Sequence, residues 1–226
     1  MVGGVNATLP ATAFRQRLLG VAPAIEASRQ ALNALDAKAG DGDIGESLSI
    51  GFAAVVDALS GTEVTTIGAD LRQTGTVLGR VAPSTFGTLI GMALRDAGAA
   101  LADCAELGGT DVVTLLESVA DGVARRGEVG PGDRTVLDAV VAARDRTREA
   151  EADGAEAALR AMAAGAVDGA LATAEMVPRV GRAGWVGDRA RGIVDAGAAA
   201  WAVISTGVAG DDTGLHDVLA DRRTTS

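Results

Sequence analysis

The sequence has little of what most catalytic and recognition chemistry uses. Cys104 is the one cysteine in 226 residues, which excludes an intramolecular disulfide and a cysteine-based zinc site. His216 is the one histidine and lies in a polar C-terminal stretch. The body of the chain therefore has no imidazole to act as base, phosphocarrier or covalent anchor, which argues against Ser-His-Asp and Cys-His catalysis. Tyrosine is absent and aromatics make up 2% (Phe14, Phe52, Phe86, Trp185, Trp201), too few for the cross-strand pairs of a β-sandwich. Positive charge is scarce as well. A net charge of −10 has the wrong sign for a nucleic-acid partner, which needs a basic face. The longest apolar stretch, Ala196 to Ala209, is interrupted by Ser205 and Thr206 and is too short to span a bilayer. The amino terminus MVGGVNATLPATAFRQ lacks the basic-then-apolar order of a signal peptide. These absences lead to the expectation of a soluble cytoplasmic protein with neither membrane nor nucleic acid as partner.

What is present is Ala, Leu and Val, within an apolar fraction of 48%, set at helical spacing wherever Gly and Pro do not intervene. Leu18, Val21, Ile25, Leu32 and Leu35 form a first stripe. A helix is expected from near Gly45 through Leu59, others over Thr65 to Leu78 and Ser84 to Leu107, the latter apolar nearly all round and so buried. Asp111 is placed to N-cap the next helix and Asp133 the one after it. An Ala-rich helix is expected over Glu151 to Met176 and a last one from Asp195. The fold class is all-α, about eight helices in one domain over 1–209, with 210–226 a polar, loosely held tail.

Asp36, Asp41 and Asp43 stand at spacing D-x4-D-x-D, and glycines at 40, 42 and 45 let the backbone curl so that the three carboxylates converge. Their mutual repulsion favours a hard cation among them, and Mg²⁺ is commonly held by a few carboxylates together with substrate phosphates. The same residues would also serve as a solvated turn. Gly40-x-Gly42-x-x-Gly45 fits the dinucleotide fingerprint only in spacing, because a helix precedes it and two Asp lie inside it. An EF-hand from Asp41 fails at positions 45, 46 and 52.

Other Gly-rich segments punctuate the chain. Pro83 to Leu89 opens a helix whose free N–H groups would suit a phosphate, or forms an ordinary cap. Gly132-Asp133-Arg134-Thr135 reads as a turn and cap. Gly181 to Arg189 places Arg182 and Arg189 in a loop suited to phosphate contact. No Walker A sequence is present.

Taken together, Leu35-Asp36 through Gly45, Thr85-Phe86-Gly87-Thr88-Leu89, Pro131 to Thr135 with Asp138, and Gly181-Arg182-Ala183 through Ala198 resemble, in order, the L subunit or C-terminal nucleotide domain of the dihydroxyacetone kinase family. The resemblance implies a barrel of eight antiparallel amphipathic helices with ATP or ADP and two Mg²⁺ at one end. Asp36, Asp41 and Asp43 fall on the family's metal ligands. Ile44, Gly45, Glu46 and Ser47, with Thr85 and Phe86, fall where it contacts phosphates; Gly127 and Val136 match the adenine pocket, and Arg182, Asp195, Ala196 and Gly197 a further part of the nucleotide site. The chain departs from the common pattern at Ile44, where a His is frequent, at Phe86, where a Ser is, and at Leu48 and Val136, which replace Met.

The implied activity is phosphoryl donation to a short ketose held on a separate K-type subunit, on a histidine this chain does not have. The donor is either free ATP or a bound ADP recharged by a phosphotransferase-system phosphocarrier, and a homodimer is compatible with this activity. The alternative is a noncatalytic Mg-ADP-binding module that regulates a partner.

Overall fold

The computed structural model describes residues 7–82, 84–177 and 192–220. Helices dominate them: α1 (Ala11–Leu19), α2 (Val21–Asp36), α3 (Ile44–Ser60), α4 (Ile67–Val81), α5 (Thr85–Ala100), α6 (Gly109–Gly127), α7 (Val136–Ala150), α8 (Ala155–Ala172), α9 (Ala196–Ala209) and the short α10 (Leu215–Leu219). A two-residue antiparallel pair joins β1 (Leu9–Pro10) to β2 (Glu106–Leu107). The first apolar stripe is buried as expected, at Leu18, Val21, Ile25, Leu32 and Leu35, although the helix breaks at Gly20.

From α2 to α8 each helix packs on the next, and α9 packs on both α8 and α2. Alanine makes the last step feasible. Ala198, Ala199, Ala200 and Ala202 are fully buried, and small side chains let α9 approach α2, α7 and α8 closely. Glycine does the same between α4 and α5, where Gly68 and Gly98, and likewise Gly75 and Gly91, meet backbone to backbone. Among the described residues, no helix is long and apolar enough to cross a membrane.

Several element boundaries differ from the expected ones. α5 stops at Ala100 rather than Leu107, because the following backbone is used elsewhere: the Cys104 carbonyl accepts from the N–H of Ile67 and the Ala105 carbonyl from that of Ala11, while Glu106–Leu107 pairs with β1. Nor is α5 buried all round, for Thr88, Arg95, Ala99 and Ala100 face solvent. Asp111 and Asp133 are not N-caps. Gly108 precedes α6, and Asp111, three residues on, accepts the Gly108 N–H at 2.7 Å. Thr135 caps α7, with Asp138 in the reciprocal position, and Asp133 instead accepts from Gly130. A carboxylate at either position satisfies a helix-start donor, so composition alone does not separate the two. Gly154, at φ +92°, divides the expected Glu151 to Met176 helix. Beyond Gly210, α10 is held down by buried Leu215 and Val218.

Candidate functional site

The α2–α3 loop is closed by one side chain from α2. Asp36 Oδ2 accepts the N–H of Gly42 at 2.8 Å and of Asp43 at 3.1 Å, and Gly42 adopts φ +80° to make the turn. Asp43 occupies the N-cap position of α3 without making a cap bond. Asn33, from α2, supplies the missing acceptor: its Oδ1 takes the N–H groups of Gly45 at 2.8 Å and Glu46 at 3.2 Å. Capping is thereby delegated to a neutral amide. The carboxylates of Asp36, Asp41 and Asp43 each offer an oxygen within 4.8 Å of the others. Such an all-oxygen set of three carboxylates fits a hard divalent cation that completes its shell from a phosphate.

These carboxylates line a cavity of about 520 Å³, together with the starts of α5, α7 and α9 and the end of α6. Ser84 caps α5 by accepting the Gly87 N–H at 3.0 Å, Thr135 caps α7 at Leu137, and Asp195 caps α9 at Ala198 at 2.8 Å. The first-turn N–H groups of these helices have no intrahelical acceptor, and their dipoles favour an anion. Phe86, Leu89, Val123, Val129, Val136, Ile193 and Val194 supply an apolar lining. A Cβ on Gly197 would lie 3.4 Å from the Phe86 ring and 3.5 Å from Val136 Cβ, so the start of α9 faces that wall with room for about one methyl group between them.

A polar junction forms part of the lining. Arg134 is 3% exposed, with its backbone at φ +63°, and donates to the carbonyls of Thr173 at 3.1 Å and Ile193 at 2.8 Å. Thr173 Oγ1 accepts the Asp195 N–H at 2.9 Å. Asp138 accepts from Gly132 at 2.6 Å and Thr135 at 2.8 Å, which shapes the turn before α7. Burial pushes the Asp195 carboxyl up to about 6, against the pull of the Ala198 N–H and the Arg134 charge. Burial also lowers the Arg134 guanidinium from its ordinary value, with the Asp195 charge opposing.

Of the residues singled out in the sequence, Asp36, Asp41, Asp43, Ile44, Thr85, Phe86, Gly127, Val136, Asp195, Ala196 and Gly197 all line this one cavity. Gly45, Glu46 and Ser47 do not. The first two give their N–H groups to Asn33, the Ser47 N–H goes to the Asp43 carbonyl, and the Glu46 side chain pairs with Arg29 at 2.7 Å. Arg182 and its Gly-rich loop lie outside the described residues. Sequence reasoning missed Lys38 and Arg134, which also line the cavity. For Lys38 the signal was its place inside the acidic loop; for Arg134 it was a bulky residue in a Gly/Asp turn.

A family model, the DAK2 domain, matches residues 38–210. The chain is 32% identical over 211 residues to D-erythrulose kinase of Mycolicibacterium smegmatis, covering 92% of this chain and 36% of that protein. It is 32% identical over 169 residues to the PEP-dependent dihydroxyacetone kinase, ADP-binding subunit DhaL, of Escherichia coli, covering 74% of this chain and 80% of that one. In fold it is similar to the crystal structure of the dihydroxyacetone kinase from C. freundii in complex with AMP-PNP and Mg²⁺. The TM-score is 0.70 at 22% identity, over 93% of this chain and 36% of that one. The chain thus spans about a third of the length of the erythrulose kinases it matches.

Proposed function

The chain belongs to the DAK2-domain family, and from that premise we propose that it is the nucleotide- and Mg²⁺-binding, phosphoryl-donating part of a kinase for short ketoses. The observation that carries this reading is one cavity lined both by three convergent carboxylates and by helix starts with apolar side chains. An antiparallel eight-helix barrel with the nucleotide at one end is the architecture the reading assumes, and the succession of packed helices from α2 to α9 supports it.

In this reading Asp36, Asp41 and Asp43 hold two Mg²⁺. The starts of α5 and α9 orient the phosphates, while Phe86, Leu89, Val123 and Val136 enclose the base and exclude water. When bound, Mg²⁺ offsets phosphate charge, the main requirement of phosphoryl transfer. The chain's own contribution is positioning. Asn33 frees Asp43 from capping, and Asp36 fixes the loop that presents Asp41.

The acceptor would be a three- or four-carbon ketose on a K-type partner subunit, in keeping with the names of the relatives, one of which is itself described as an ADP-binding subunit. Its PEP-dependent description extends the reading to a donor recharged on the protein by a phosphocarrier.

The test is an assay for ADP formation from Mg-ATP with dihydroxyacetone or erythrulose, with and without a K-type partner. Turnover only in the partner's presence is expected. Robust turnover by this chain alone would reveal an acceptor site within it. Nucleotide binding with no turnover beside an active partner would favour a Mg-ADP-binding regulatory module.

A further inference from the structure

We propose that Arg134 is a positioning residue for nucleotide binding: by holding the carbonyls of Thr173 and Ile193 it sets the start of α9 against the apolar wall of the cavity. This rests on the nucleotide-binding reading and extends it to a residue that neither metal nor helix-dipole arguments select.

Three observations carry it. First, Arg134 sits in left-handed backbone, φ +63°, where glycine would be unstrained and an Arg is not. A bulky residue persists there only if its side chain compensates, and strained positions of this kind gather at binding sites. Second, the buried guanidinium spans a junction of three elements. It leaves the turn before α7, takes the Thr173 carbonyl at the end of α8, and takes the Ile193 carbonyl two residues before the α9 cap. Thr173 in turn binds the Asp195 N–H through its hydroxyl, so both routes from Arg134 converge on the first residues of α9. A planar fork reaches two carbonyls in different directions at once, which an ammonium does less well.

Third, the segment so held stands beside that wall. A Cβ added at Gly197 would meet Phe86 and Val136 at 3.4 and 3.5 Å, an ordinary van der Waals separation, so the α9 backbone faces both side chains across about the width of a methyl group. A shift of a few tenths of an ångström in α9 therefore changes the width of the cavity at that wall. Arg134, Ile193, Asp195 and Gly197 all line it.

Arg15 provides the comparison. It too is buried, paired with Asp70 and donating to the carbonyls of Leu59, Thr62 and Glu63. Those partners lie at the end of α3 and the start of α4, whereas the cavity is at the start of α3 and beyond the end of α4. A buried arginine that is only structural should behave as Arg15 does.

The experiment measures the Mg-ADP dissociation constant by calorimetry, and the melting temperature without nucleotide, for the wild type and for Arg134→Lys, Arg134→Gln and Arg15→Lys. Both Arg134 variants are expected to raise Kd about tenfold, roughly the loss of one charge-assisted hydrogen bond. Arg15→Lys is expected to lower the melting temperature at unchanged Kd. If Arg134→Gln fails to fold, Arg134→Lys decides. Arg134 variants that melt earlier yet keep the wild-type Kd would reduce the residue to a structural one and overturn the inference. Wild-type Kd in the Lys variant with loss in the Gln variant would mean that charge, not the fork, is what matters, and would overturn it too. A wild type that binds no Mg-ADP overturns the functional reading itself, and this inference with it.

Discussion

Asp36 Oδ2 accepts the backbone N–H of Gly42 at 2.8 Å, so the residue that begins the carboxylate cluster also closes the loop carrying the other two. Asp36 therefore serves the loop as well as the cluster. Asp36→Ala is expected to cost about 1–3 kcal/mol of stability, because the Gly42 and Asp43 donors lose their acceptor, and to lose Mg-nucleotide binding as well. Asp41→Ala and Asp43→Ala should lose binding too. Urea denaturation of Asp36→Ala against the wild type checks the cost, and unchanged stability would contradict it.

Gly91 and Gly79 should respond oppositely to alanine. A Cβ on Gly91 would lie 2.7 Å from the Gly75 carbonyl oxygen, whereas one on Gly79 meets nothing within 4 Å. Gly91→Ala is therefore expected to destabilise by about 1–3 kcal/mol or more as α4 and α5 are pushed apart. Gly79→Ala should stabilise by about 0.5–1 kcal/mol through helix propensity. Thermal denaturation of both variants reads the two signs.

Asp195 gives a pH dependence of stability. Its carboxyl, raised by burial from 3.8 to about 6, binds its proton more tightly in the folded state than in the unfolded one. The group therefore destabilises the fold above pH 6, and that cost is relieved as pH falls from about 6 to about 4. Arg134 and Asp138 are the charges that face it. Asp195→Asn keeps a good N-cap acceptor and removes the titration. It is expected to be more stable than wild type at pH 7, on the order of 2 kcal/mol allowing for the residue's partial exposure, with the gap closing towards pH 4. Parallel stability profiles for the two proteins would contradict the assignment.

The buried Arg15–Asp70 pair should behave as a structural staple. Asp70→Ala strands a guanidinium that is 6% exposed and is expected to cost about 3–5 kcal/mol. Mg-ADP affinity of the folded fraction should be unchanged, as nucleotide-induced thermal shifts would show.

The helices and the carboxylate loop were legible in the sequence, because both depend on local spacing: apolar stripes at helical period for Leu18 to Leu35, and glycines around Asp36, Asp41 and Asp43. Features set by long-range contacts were not. Nothing local in Ala100 to Leu107 says that its carbonyls will serve Ile67 and Ala11 and so end α5 early. Asn33 carries no sign that it will cap α3 from another helix and take the N–H groups of Gly45 and Glu46, which the family resemblance had assigned to phosphate contact. Arg134 reads as a turn residue until Thr173 and Ile193, 39 and 59 positions away, are brought to it. The side of the cavity formed by one loop was accessible to spacing arguments; the side assembled from four helices was accessible only in part.

The most direct test of the central claim is calorimetric titration of Mg-ADP into the wild type, Asp41→Ala and Asp43→Ala. Saturable binding that requires Mg²⁺ is expected for the wild type and should be absent in both variants, because each loses one of the three convergent carboxylates. Unchanged Mg-ADP affinity in both variants would contradict the account, because the carboxylates that converge on the cavity would then have no part in holding the nucleotide.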